Sequence, residues 1–163
     1  MMKSPGIVAG VAAMLAAPAA FGWTDAEIVQ SCTQLNYDYV YHRDRGDIEA
    51  YANLFTEDGE FEFLATMKGR QAIGESARKR WEESVSRHFI QPTRIEPTGR
   101  DTATGVIYLA LYAAPRQAEA QAGPIPIPGV RVIASYLDRY RMTDEGCRFE
   151  RRKVDVHFER KTE

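Results

Sequence analysis

A chain of 163 residues, 44% hydrophobic and 27% charged, suits a single domain that buries its own core. Its formal net charge of −2 excludes the basic footprint of a nucleic-acid binder.

Residues 1–22 read as a secretory signal peptide. Lys3 gives a positive start, Ile7 to Leu15 is apolar, and small residues between Ala17 and Gly22 offer cleavage sites. The run is too short for a membrane span of ~20 apolar residues. A secreted or periplasmic protein without membrane association is therefore expected, with a cytoplasmic protein carrying an N-terminal extension as the alternative. Only Cys32 and Cys147 are present. Their separation gives no framework signal, so two buried thiols are expected ahead of a disulfide.

The domain is assigned to residues 23–158, with a charged tail at 159–163. Trp23-Thr24-Asp25-Ala26-Glu27-Ile28 carries a capping box, Thr24 with Glu27, and predicts a helix running to Asp44. Gly46 ends it. Asp47 caps a short helix with Ile48, Tyr51, Ala52 and Phe55 at i, i+3, i+4, i+7 spacing. A strand is predicted over Glu60–Leu64, and a third helix over Arg70–Ser84 with Ile73, Ala77 and Trp81 on one stripe. Four long β-rich runs follow: Arg87–Glu96, Thr102–Ala113, Val130–Met142 and Cys147–Phe158, the last two joined at Asp144-Glu145-Gly146. Pro115–Gly129 is a Pro/Gly/Ala-rich loop of the length that lids and binding loops have. Three helices followed by mostly antiparallel strands predict an α+β domain, with helices packed on a strongly curved sheet around a pocket.

No metal or nucleotide motif is present. His42, His88 and His157 lack close ligand pairing, and there is no Gly-rich phosphate loop or nucleophile elbow. What remains is acid/base chemistry by His, Asp and Tyr, with no cofactor expected. His88, at the start of a strand among apolar residues, is the candidate proton carrier. Asp44, at a helix end, is the candidate carboxylate to orient it. In "YDYVYHRDRGD" (Tyr37–Asp47), Asp38, Arg43 and Arg45 are expected to face water. Spacing leaves the functional tyrosine open: Tyr41 shares a helical face with Asp44, whereas Tyr39 lies roughly 140° from it. Tyr108 and Tyr112 share one strand face, lining the pocket or belonging to the core.

Four segments, "DRGDIEAYANLFTEDGEFEF", "KGRQAIGESARKRW", "SRHFIQPTRIEPTGRDTATGVIYL" and "SYLDRYRMTDEGCRFERRKVDV", carry a resemblance to SnoaL-like members of the nuclear transport factor 2-like superfamily, over about Asp25 to Phe158. The resemblance implies a cone-shaped α+β barrel and, through its dehydratases, places Asp44, His88 and Tyr39 at catalytic positions; Tyr41 is held in reserve by its shared helical face with Asp44. Tyr41, Phe63, Trp81, Tyr108 and Tyr112 are assigned with them to substrate binding. A scytalone dehydratase tyrosine is replaced by Phe63, and its second histidine falls near Ile133. A bile-acid 7α-dehydratase aspartate is replaced by Leu111, so the substrate is expected to differ from both. The expected function is a cofactor-independent lyase or isomerase acting on a hydrophobic, hydroxylated aromatic, polycyclic or steroid-like molecule. A non-catalytic ligand-binding or assembly module is the alternative. A homodimer or higher homo-oligomer is expected from the family.

Overall fold

The computed structural model describes residues 22–117 and 123–161; the expected signal peptide, Gly22 aside, lies outside them. Helix α1 (Asp25–Arg45) begins at the capping box. The Thr24 hydroxyl accepts the Glu27 N–H at 3.3 Å, and the Glu27 carboxylate accepts the Thr24 N–H at 2.8 Å. The helix ends at Gly46, whose φ of 76° is left-handed. A side chain there would also strike the Trp81 indole, which stands 2.0 Å from where a Cβ would be. Both constraints demand glycine. The buried stripe of α1 is Ile28, Cys32, Leu35, Asn36, Tyr39 and Arg43, the i, i+4, i+7, i+8 pattern of one helix face.

Helix α2 (Ile48–Asn53) leads into β1 (Phe55–Phe63) and the short β2 (Ala65–Lys68), and helix α3 (Arg70–Glu83) follows. The remaining strands are β3 (Ser84–Pro97), β4 (Thr102–Pro115), β5 (Val132–Thr143) and β6 (Gly146–Glu159). They form one six-stranded sheet in the order β2-β1-β6-β5-β4-β3. Every pairing is antiparallel except β1 with β6. Register shifts interrupt β3–β4 at Pro92/Arg94 and β5–β6 at Ile133/Ala134 and Arg139/Tyr140; such bulges bend strands and curve the sheet around the helices. Glu159, expected to open the tail, still belongs to β6, and the Arg160 N–H donates to the Arg131 carbonyl at 2.9 Å.

The core between helices and sheet holds an ion. Arg152 has 0% exposure. Its Nε and Nη2 donate to Asp138 at 2.9 and 2.6 Å, and Nη2 also donates to the Asn36 amide oxygen. Its guanidinium carbon lies 4.0–4.2 Å from the ring centres of Tyr39, Tyr136 and Phe149. The Tyr140 hydroxyl donates to Asp138 at 2.7 Å and accepts from the Asn36 amide at 2.9 Å. Removing either charge alone would strand the other in a low-dielectric site.

The expectation of two free thiols is corrected: Cys32 and Cys147 form a disulfide, with Cα atoms 5.1 Å apart. Helical packing brings the first half of α1 onto the start of β6, and sequence separation carries no information about that. The bridge closes a loop across a separation of 115 residues, which confines the unfolded chain. The Cys32→Ala/Cys147→Ala double variant should lose about 2–5 kcal/mol of stability, read from urea unfolding; unfolding that is unchanged by the substitutions or by reductant contradicts this.

Candidate active site

Strand β3 passes the C-terminal end of α1 and presents Ser86 and His88 to Asp44. The Asp44 carboxylate accepts three hydrogen bonds. The Ser86 hydroxyl reaches Oδ1 at 3.0 Å, the His88 backbone N–H reaches Oδ2 at 2.8 Å, and His88 Nδ1 meets Oδ1 at 2.6 Å. Burial alone would raise the Asp44 carboxyl, but the bonds and charge of His88, with the Ser86 hydroxyl, together hold it below the ordinary carboxylate range. An ionised carboxylate only accepts hydrogen bonds, so Nδ1 carries the proton of that bond. Nε2 makes no hydrogen bond within the described residues, and His88 lines a cavity.

That cavity has a volume of about 600 Å³, within the range of small-molecule sites. Leu109, Leu111, Val132 and Val154, with Phe61 and Phe63 of β1, line it from the sheet, and Tyr39 and Tyr51 line it from the helices. Pro126, Pro128 and Gly129, from the long loop after β4, edge it. Tyr39 is 2% exposed and its hydroxyl accepts from the Tyr51 hydroxyl at 3.2 Å. Burial pushes the Tyr51 and Tyr136 hydroxyls well above the usual tyrosine range, each reinforced by neighbouring Tyr39. They remain neutral donors.

Asp44 itself does not line the cavity; its link to it is the bond to His88. This resolves the angular conflict between Tyr39 and Asp44. The two need not face one another, because Asp44 points at β3 and β3 returns His88 to the cavity that Tyr39 also lines. Phe63 lines the same wall.

Four expected substrate contacts are corrected. Tyr41, two residues and roughly 200° around the helix from Tyr39, is 56% exposed and lies under the Arg45 guanidinium. Tyr108, 52% exposed, and Tyr112, stacked edge-on against Phe89, are on the outer sheet face. Strand alternation sends Leu109, Leu111 and Ala113 inward instead. Trp81 is absent from the cavity lining; it packs beneath Gly46 and against Arg116, whose guanidinium carbon is 3.9 Å from its ring centre. Outside the cavity, His157 bonds the Ser135 hydroxyl at 2.8 Å.

Sequence reasoning missed Ser86, Tyr51, Tyr136 and Arg43. Period two in β5 was the available signal for Tyr136, since residues 132, 134, 136 and 138 all bury their side chains. Arg43, expected in water, is 8% exposed and lines the cavity; its i+4 spacing from Tyr39 was the signal. Among the described residues, no three His, Cys, Asp or Glu side chains are grouped as metal ligands.

The SnoaL-like domain family matches residues 24–153. No curated protein matches the chain at a significant level. Among solved structures, an NTF2-like protein with a cystatin-like fold from Novosphingobium aromaticivorans superposes with a TM-score of 0.65 at 27% identity, covering 80% of this chain and 82% of that one. A protein proposed to be a scytalone dehydratase from the same organism gives 0.67 at 20%, covering 80% and 84%. A hexachlorocyclohexane dehydrochlorinase, LinA type 2, gives 0.66 at 17%, covering 80% and 85%. The last two are likenesses of fold. With most of its length matched and three helices wrapped in a curved mixed sheet around a cavity, the chain belongs to the SnoaL-like domain family.

Proposed function

We propose that the protein is a cofactor-independent lyase, performing a dehydratase-type elimination, or an isomerase using the same proton transfers. The observation that carries this reading is the His88–Asp44 contact of 2.6 Å at the wall of a largely apolar cavity. A binding-only module has no need of a carboxylate held on one imidazole nitrogen while the other is left unbonded. The cavity size and its aromatic and aliphatic walls suit a hydroxylated aromatic, polycyclic or steroid-like molecule.

In the proposed cycle, neutral His88 takes a proton through Nε2 from a carbon next to a carbonyl, or from a phenolic or benzylic position. Asp44 stabilises the imidazolium that forms. The Tyr39 hydroxyl, held by Tyr51, donates to the oxygen on which negative charge develops. In the elimination, the electron pair of the broken C–H bond becomes the new double bond; from a phenol, the O–H electron pair moves through the ring to form it. The C–O bond then breaks, and the imidazolium proton leaves with the hydroxyl as water. In the isomerase version the same proton returns to a different carbon.

His88→Ala should lower turnover of a substrate found by screening hydroxylated aromatics and steroids by ~10²–10⁴-fold while leaving its binding in place; wild-type turnover by the variant would remove His88 from the mechanism. Asp44 also links pH to stability. Its folded-state carboxyl lies below the ordinary range, so its stabilising effect is complete above the unfolded-state value near ~4 and fades as pH falls through the lower folded-state value. The stability deficit of Asp44→Asn, followed by urea midpoints from neutral to strongly acid pH, should shrink on acidification; a deficit that grows contradicts this assignment.

A further inference from the structure

Arg152 and Arg43 are both buried arginines of the inner layer, but they are treated differently. Arg152 is neutralised by Asp138. Arg43 has no carboxylate within ion-pair distance and no hydrogen bond within the described residues, and its Nη1 is enclosed without a partner. Arginine cannot shed its charge by losing a proton, and an uncompensated buried charge is strongly destabilising. Arg152 also has one enclosed nitrogen without a partner among the described residues, Nη1, but its charge is compensated by Asp138. The contrast marks Arg43 as a group whose partner is supplied from outside.

Its surroundings say what kind of partner. Arg43 lines the cavity one helical turn beyond Tyr39, and Arg80 lines it from α3, its Nη2 on the Ser76 hydroxyl at 2.8 Å and its guanidinium over the Phe61 ring. The Tyr51 hydroxyl lies within the electrostatic reach of both cations. Arg43, Arg80 and the tyrosine hydroxyls thus form a donor-rich region of the lining. The acidic residues of the lining, Glu83 and Glu159, are exposed, and neither pairs with Arg43. A planar guanidinium fork recognises a carboxylate in two parallel hydrogen bonds.

We infer that Arg43, supported by Arg80, forms a subsite for a carboxylate, so that the ligand of this cavity is a hydrophobic aromatic or polycyclic acid. The inference deepens the proposed function by naming the substrate's second functional group. The dyad handles the reacting carbon and hydroxyl, and the guanidinium fixes the molecule by its acid.

Binding of 2-naphthoate and of its neutral isostere 2-naphthamide, measured by calorimetry on the mature protein, tests the subsite. Wild type should bind the acid at least tenfold more tightly than the amide. Arg43→Gln should lose that preference by weakening the acid alone. Without ligand, Arg43→Gln should melt no lower than wild type, because it removes an unpaired buried charge, and 2-naphthoate should raise the melting temperature of wild type only. Equal affinities for acid and amide in wild type, no acid binding at millimolar concentration, or a preference that survives in Arg43→Gln each overturn the subsite. A lower ligand-free melting temperature for the variant makes Arg43 a structural residue and also overturns it. No turnover enters this assay. A failed preference leaves the His88–Asp44 dyad standing, and a failed turnover experiment leaves the preference intact.

Discussion

A single guanidinium, Arg152, sits where helix α1 meets the sheet, and two of the rings stacked on it also line the cavity. Taking an ion out of water is costly, and the cost is offset only when the charge is closely paired and hydrogen-bonded. Asp138 covers one edge, Asn36 another, and the rings of Tyr39, Tyr136 and Phe149 cover the planar faces and flanks. Two of those rings are also cavity walls. The side of each ring that faces the cation is fixed, so the position of its hydroxyl toward the cavity is fixed as well.

Helix α1 is fastened to the sheet at three places along its length, by three different chemistries. Cys32 is bonded covalently to Cys147, Asn36 accepts from Arg152, and Asp44 accepts from Ser86 and His88. The three points span 12 residues, roughly 18 Å of helix at 1.5 Å per residue. A rigidly held helix is what a two-residue acid/base site needs, because a loss of alignment of about 1 Å can cost two orders of magnitude in rate. The two members of the proposed dyad then come from two elements whose relative position is set by bonds outside the cavity. Of the pair, His88 lines the cavity and Asp44 does not.

Much of this was legible in the sequence where local physics decides. The capping box, Gly46 and the alternating strands located α1 and the four long strands within a few residues, and residue type, position and family resemblance singled out His88 and the helix-end Asp44 as candidates, which the structure brings within 2.6 Å. Tertiary choices were not legible. Alternation in β4 says that Tyr108 and Leu109 face opposite ways without saying which way is in. The disulfide depends on α1 crossing the start of β6, which no spacing reports. The four-residue β2 is too short to carry a pattern. Arg43 and Arg152 run against the general rule that arginine faces water. Arg152 is flanked by Arg151 and Lys153, which both pair with Glu62 near the surface, and only strand alternation turns the middle residue inward.

The proposed chemistry rests on one protonation pattern, with Asp44 holding the proton of His88 on Nδ1 and Nε2 left without a partner among the described residues. Nitrogen-15 spectra of the imidazole, recorded on wild-type protein at a pH where histidine is neutral, report this directly. The account predicts a protonated, pyrrole-type Nδ1 and an unprotonated, pyridine-type Nε2 for His88. An Nε2-protonated ring, or one averaging between the two tautomers, would contradict it.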